Sequence, residues 1–172
     1  NGTFAAKVDY STGVNPYAVF ISDVDGDGDG DLAVANYGSV TISIFLNNGD
    51  GTFAAKVDYP TGGSPVSIFI SDVDGDGDGD LATANYGANS ASILKNNGGG
   101  TFAANVNYTT GSLPYSIFVS DVDGDGDGDL VTANRSSNTV SILKGNASPT
   151  NPSVTGAANP STVTAGNTTL LT

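Results

Sequence analysis

The stretch DVDGDGDGD spans residues 23–31 and returns at 72–80 and 121–129, a constant 49 residues apart. Each copy holds five aspartates, so the three copies carry 15 of the 18 acidic residues in the chain. Most of the formal net charge of −13 is therefore packed into three short loops. Carboxylates so close together repel one another, and a bound cation removes that repulsion. The same run marks an internal repeat.

The donors decide the class of cation. Carboxylate and carbonyl oxygens are hard ligands that suit Ca2+, Mg2+ or Mn2+. The chain has no Cys and no His, which sets zinc, haem and iron–sulfur sites aside. Ca2+ takes six to eight oxygens in a flexible shell, whereas Mg2+ keeps its waters in a strict octahedron. A loop this rich in carboxylates fits Ca2+, one ion per repeat. In the first loop Asp23, Asp25 and Asp27 hold positions 1, 3 and 5, and Gly28 at position 6 permits the sharp turn. Asp29 at position 7 offers its backbone carbonyl, which leaves its side chain as surface charge. Asp31 at position 9 closes the shell. The second loop repeats the pattern with Asp72, Asp74, Asp76, Asp78 and Asp80, and the third with Asp121, Asp123, Asp125, Asp127 and Asp129. An EF-hand opens in the same way but ends on a bidentate Glu at position 12. Here that position is Val34, Thr83 or Thr132, and the chain has no Glu.

The flanks predict strands. PYAVFISDV before the loop and DLAVAN after it are short, β-branched and aromatic, and bounded by Gly, Pro and Asn. The 49-residue period reaches well beyond the loops: GTFAA recurs at 2–6, 51–55 and 100–104, and Tyr10, Tyr59 and Tyr108 are in register. In the second unit the strands are expected near 65–72, 80–85, 90–96 and 102–108. Ile42, Ile44 and Leu46 alternate with Thr41, Ser43 and Phe45, as the two faces of a strand require. No window has a helical period. The reading is an all-β chain of tandem four-stranded antiparallel blades, β-propeller-like, in three units of 49 residues.

DVDGDGDGDLAVAN followed by TISIFLNNGDGTFAAKVDY resembles the FG-GAP/VCBS repeats of integrin-type propellers, over residues 1–145. The resemblance implies that Asp at loop positions 1, 3, 5 and 9 holds Ca2+ on each blade. It also implies an extracellular setting. The family's Gly-Ala-Pro signature is absent, and GTF stands in for Phe-Gly. Such propellers usually close with about seven blades, and three units are present here. Residues 2–10 read as an unpaired fourth strand, two complete blades follow, and the third blade, from 113 to 145, has three strands, twelve in all. Three arrangements fit: a piece of a longer array, closure of the first strand onto the last blade, or exchange of that strand between molecules into a homo-oligomer or filament.

From residue 146 the composition turns to Thr, Ser, Pro and Asn without acid or base. Residues 146–172 read as a linker that opens an Ig-like domain or supplies an exchanged strand. No signal peptide or membrane span is evident, and the chain lacks Met, as expected of a mature product or a piece of one. Calcium sites of the extracellular kind, Kd roughly 10⁻⁴–10⁻³ M, would stay empty in the cytosol. Without Cys, metal and not disulfide supplies the staples. The expected location is extracellular or at the cell surface. Glycosylation sequons stand at Asn1, Asn107, Asn134, Asn146 and Asn167.

Enzymatic function is not expected: no triad or thiolate can be built, and aspartates repeated identically in three units do not resemble a catalytic pair. Five basic residues cannot neutralise a phosphate backbone against this charge. Two classes remain. One is a calcium-stiffened structural or fibre subunit. The other is an adhesion module that binds a glycan or protein. Binding faces show unit-to-unit variation at aromatic and polar positions. Here it is confined almost entirely to Tyr37 and Tyr86, which become Arg135, and to Tyr17 and Tyr115, which alternate with Val66. Near-identity of the repeats favours the structural class.

Overall fold

The computed structural model of the chain describes residues 1–145. The linker and strands expected over 146–172, with the Asn146 and Asn167 sequons, lie outside the described residues. Among those described, eleven strands form three antiparallel sheets. The first sheet comprises β1 (Pro16–Ser22), β2 (Asp31–Asn36), β3 (Thr41–Phe45) and β4 (Val57–Pro60). The second comprises β5 (Pro65–Ser71), β6 (Asp80–Asn85), β7 (Ser90–Leu94) and β8 (Val106–Thr109). The third has β9 (Pro114–Ser120), β10 (Asp129–Asn134) and β11 (Thr139–Leu143). Each is a simple meander in chain order, the topology of a propeller blade. β1, β5 and β9 pack on one another and form the inner edge of the stack.

The blades bury their apolar faces against each other. Ala33, Ala35, Ile42 and Ile44 of blade one meet Ile68, Ile70, Leu81, Leu94 and Phe102 of blade two. Ala82, Ala84, Ala91 and Ile93 of blade two meet Ile117, Val119 and Leu130 of blade three. Blade two is thus covered on both sides, and β6 is buried throughout. This accounts for the unbroken apolar run of its strands. The alternation read for β3 holds, since Ile42 and Ile44 enter the interblade core. Ser43 and Phe45 on its other face are buried as well. Ser43 is tied to Asn36 and Asp58, and Tyr10 stands edge-on to Phe45.

Residues 2–10 are not a strand, which corrects the expected twelve to eleven. β4 and β8, their equivalents, form only because β3 and β7 offer them a ladder. Residues 2–10 have no such neighbour, and Phe4 is 98% exposed. The segment is held by Tyr10, which packs edge-on against Phe53 at 5.4 Å, as Tyr59 packs against Phe102 at 5.3 Å. It therefore lies where the last strand of a preceding blade would lie. At the other end, β11 is an edge strand with no fourth strand beside it among the described residues. Closure of residues 2–10 onto that edge within one molecule is not observed. The third and fourth strands of blade two are also shorter than expected. Asn96 leaves the ladder and forms an isolated bridge with Phe102.

Asn36, Asn85 and Asn134 end the second strand of each blade and are buried. Each side-chain amide donates to two hydroxyls of the next strand, Thr41 and Ser43, Ser90 and Ser92, or Thr139 and Ser141. This latch corrects the sequon reading at Asn134: a side chain 2% exposed and bonded in this way is sealed from glycosylation.

Candidate metal centre

Each acidic loop joins the first strand of its blade to the second, so all three lie at the same end of the stack. Alternating glycines let the chain coil tightly: Gly26 and Gly28 adopt φ of 82° and 95°, which other residues avoid. The coil directs backbone N–H groups onto the carboxylates. Gly26 and Gly28 donate to the two oxygens of Asp23 at 2.8 and 2.9 Å, and Asp29 N–H donates to Asp27 at 2.9 Å. Asp72 and Asp121 receive the same pair of bonds. These bonds fix the acids before any ion arrives.

Carboxylate oxygens of Asp23, Asp25 and Asp27 lie within 4.8 Å of one another. So do those of Asp72, Asp74 and Asp80, and of Asp121, Asp123 and Asp129. Two ligands on one Ca2+ at about 2.4 Å are separated by at most about 4.8 Å, so the donor sets fit this ion. Positions 1 and 3 join the cluster in every loop. Position 5 joins in the first, and position 9 in the second and third. Asp76 and Asp125 stand outside their triads, as does Asp31. Asp29, Asp78 and Asp127 belong to none, in keeping with a backbone role at position 7.

Position 9 has a second task. Asp31, Asp80 and Asp129 are buried at 0–1% exposure. One oxygen of each accepts from the residue after position 1, namely Val24, Val73 or Val122. The other accepts from the turn beyond the third strand, at Asn47, Asn96 or Gly145. Position 9 therefore ties the loop to the sheet. Burial raises the carboxyl pKa of Asp80 despite those bonds.

The loops differ in two ways that the aspartate pattern conceals. Lys95 pairs with Asp74 and Lys144 with Asp123, each at 2.8 Å. Their ammonium groups hold both carboxyls below the ordinary aspartate range. Unit one carries Leu46 at that position. Asp25 is instead pushed up, first by desolvation and then by repulsion from Asp31, Asp27 and Asp23. The second difference is a clasp. Asn96 Nδ2 and Gly100 N of blade two both donate to the Val24 carbonyl of loop one, at 2.8 and 3.1 Å. Val24 is buried in consequence, whereas Val122 of loop three is 50% exposed.

The family model of the FG-GAP-like repeat matches residues 23–83 and 72–132, each match running from one acidic loop through the second strand of the next blade. The chain belongs to the FG-GAP-like repeat family. No curated protein sequence matches it. Among solved structures it is similar to an Agrocybe aegerita lectin described as recognising non-reducing terminal N-acetylglucosamine. Identity is 25% and the TM-score 0.53, over 77% of this chain and 36% of that one. It is also similar in fold to a functionally unknown protein from Desulfotomaculum acetoxidans DSM 771. There identity is 23% and the TM-score 0.53, over 76% of this chain and 41% of that one. The chain thus spans well under half the length of either. An all-β FG-GAP-like repeat module with three candidate acidic metal sites follows from the family match and the geometry together.

Proposed function

We propose that the chain is an extracellular, calcium-stiffened structural module that assembles head to tail with further copies of itself. The observation that carries this reading is the chemistry of its two end faces. Val19 and Ile21 on the outer face of blade one are 62% and 64% exposed. Their equivalents Ile68, Ile70, Ile117 and Val119 are all buried against a preceding blade. Phe118, Val140 and Ile142 on the outer face of blade three are 56–62% exposed. Ile42 and Ile44, at the same positions in blade one, are buried under blade two. The two open faces are therefore the two halves of an interface that the chain already forms twice. Stacking blade one of one copy on blade three of another repeats that packing. It also brings residues 2–10 beside the free edge of β11, where they complete the fourth strand. The contact is heterologous, so it closes into a ring or extends as a filament.

Ca2+ would be held by the triads, with carbonyls and water filling the shell, and it supplies charge neutralisation at each β-turn-like loop. An ion that binds only the folded loop adds about 2.7 kcal/mol at 100 times Kd. The reading is non-catalytic.

Sedimentation in a few millimolar Ca2+, repeated with chelator, tests it. Large species are expected in Ca2+. Ile142→Asp on the outer face of blade three and deletion of residues 1–10 should each leave a folded monomer. A monomer in Ca2+ at 100-fold varied concentration, or assembly indifferent to both changes, overturns the self-association reading.

A second reading is glycan binding. It is favoured by the likeness to the N-acetylglucosamine-recognising lectin.

A further inference from the structure

The end of the stack opposite the acidic loops has a different chemistry. Its connections are 11–15, 37–40, 61–64, 86–89, 110–113 and 135–138, and none contains an acidic residue. Two of the positions at which the near-identical units differ in aromatic or basic character converge there. Tyr17 and Tyr115 come from the first strands of blades one and three. Tyr37, Tyr86 and Arg135 follow the second strands of all three blades. Tyr17 and Tyr115 lie edge to face at 6.1 Å, and their hydroxyls are hydrogen-bonded. They meet across the position where blade two carries the smaller, buried Val66. Tyr37 adjoins Tyr17 and Tyr86 adjoins Tyr115, each at 6.1 Å. The Arg135 guanidinium stands 5.9 Å over the Tyr115 ring.

Two features mark this cluster as more than packing. Tyr17 and Tyr115 remain 50% and 42% exposed, whereas Val66 at the same position of blade two is buried. Arg135 also stands apart among the five basic residues. Among the described residues Lys7, Lys56, Lys95 and Lys144 each pair with an aspartate, whereas Arg135 pairs with none. An open groove beside it is lined by Tyr115, Asn134, Arg135, Asn138 and Thr139. Flat aromatic faces edged by hydroxyls and amides suit a ligand with an apolar ring face and a polar rim. A guanidinium with free donors, on an acid-free surface, selects a carboxylate.

We propose that Tyr17, Tyr37, Tyr86, Tyr115 and Arg135 form a carbohydrate-binding platform whose preferred ligand is a sugar bearing a carboxylate, of the uronic-acid class. This rests on the glycan-binding reading above. The tyrosine faces take the C–H face of the ring, and Arg135 takes the carboxylate. The groove also reaches Val140, on the blade-three face that head-to-tail stacking would cover, so the platform is open on the unassembled chain.

The test uses the full chain carrying Ile142→Asp, which keeps the blade-three face open, in millimolar Ca2+, with calorimetric or saturation-transfer titration of three probes. These are an oligosaccharide ending in glucuronate, its glucose-ended counterpart, and an N-acetylglucosamine oligosaccharide. The glucuronate probe should bind at least tenfold more tightly than the glucose probe. Arg135→Gln should remove that preference and leave the neutral sugar unchanged. Tyr115→Val, which installs the residue unit two already tolerates, should weaken both. Melting temperatures of the variants exclude unfolding as the cause. Failure of all three probes to bind overturns both the glycan reading and the platform. Glycan binding that is not weakened by Tyr115→Val overturns the platform alone. Equal binding of glucuronate and glucose probes overturns the selection for a carboxylate.

Discussion

Loop one should be the tightest calcium site, and one substitution should abolish its advantage. Asp74 is paired with Lys95, whereas Asp25, in the unit that carries Leu46 at the equivalent position, pairs with no cation among the described residues. An ion entering loop two must displace the lysine from Asp74. An exposed pair of this kind is worth about 0.2–1 kcal/mol. The displaced ammonium then stands near a dication; at roughly 6 Å in water the repulsion is about 1.4 kcal/mol before salt screening. After screening, the combined penalty is about 1–2 kcal/mol, or about 5- to 30-fold in Kd. Lys95→Leu should therefore tighten loop two by about that factor, and Leu46→Lys should weaken loop one equally. Competition titration against a calibrated chelator at physiological salt resolves the sites. Leu46 is partly buried against the interblade core, so Lys95→Leu, at an exposed position, is the cleaner arm. The effect should shrink in 1 M salt. Unchanged or weaker calcium binding by Lys95→Leu would show that the lysine does not compete with the metal.

Two further outcomes are expected. As pH falls from 7, calcium should leave loop one over a higher pH range than loop three, because protons compete with the ion only near each carboxyl's pKa. That of Asp25 is raised by desolvation and that of Asp123 is lowered by Lys144. Site-resolved NMR of the loop glycines at a series of pH values checks this, and simultaneous loss would count against it. Val40→Asn should stabilise the chain by about 1 kcal/mol, a shift of a few degrees in Tm. Val40 holds φ of 58°, where units two and three carry Asn89 and Asn138 at 53° and 54°. Thermal melts in excess Ca2+ measure it, and an unchanged or lower Tm would refute the strain argument.

The repeat, the blade count and the acidic loops were legible because period and composition carry them directly. Loop chemistry at positions 1 and 3 followed from spacing alone, since alternation in a tight coil fixes which side chains converge. Three things were not legible. Residues 2–10 are identical to 51–59, which lead into β4, yet a strand exists only where a neighbour offers a ladder, and composition alone does not say which copy has one among the described residues. Asn36, Asn85 and Asn134 read as strand boundaries. Their recurrence in AVAN, ATAN and VTAN was the available signal for a buried latch. Leu46, Lys95 and Lys144 lie 21 residues beyond position 3 of their loops, so their bearing on the carboxylates depends on how the third strand returns to the loop end. The tyrosine variation was visible in sequence, but its convergence across blades one and three depends on the stacking of the inner strands.

The clasp on loop one links metal and assembly. Asn96 Nδ2 makes two bonds, to Gly79 O within its own blade and to Val24 O of the preceding loop. Asn47 Nδ2 makes the first of these, to Gly30 O, and reaches no preceding loop among the described residues. Loop three has the complementary lack, for its exposed Val122 is followed by no further blade among the described residues. In the proposed head-to-tail contact, Asn47 and Gly51 of one copy would fall on the Val122 carbonyl of its neighbour, as Asn96 and Gly100 do on Val24. Loop three would then become as fixed as loop one. By linkage, assembly must tighten calcium binding at loop three by the same factor by which calcium there promotes assembly. Asn47→Ala removes the cross-copy bond and, within a monomer, the bonds with Gly30, Gly49 and Gly51. The expected result is weaker assembly at fixed Ca2+ together with loss of the concentration dependence of calcium affinity. Dilution series of calcium titrations read both. An affinity that stays constant while the chain passes from monomer to assembly would show that the loops and the interface act independently.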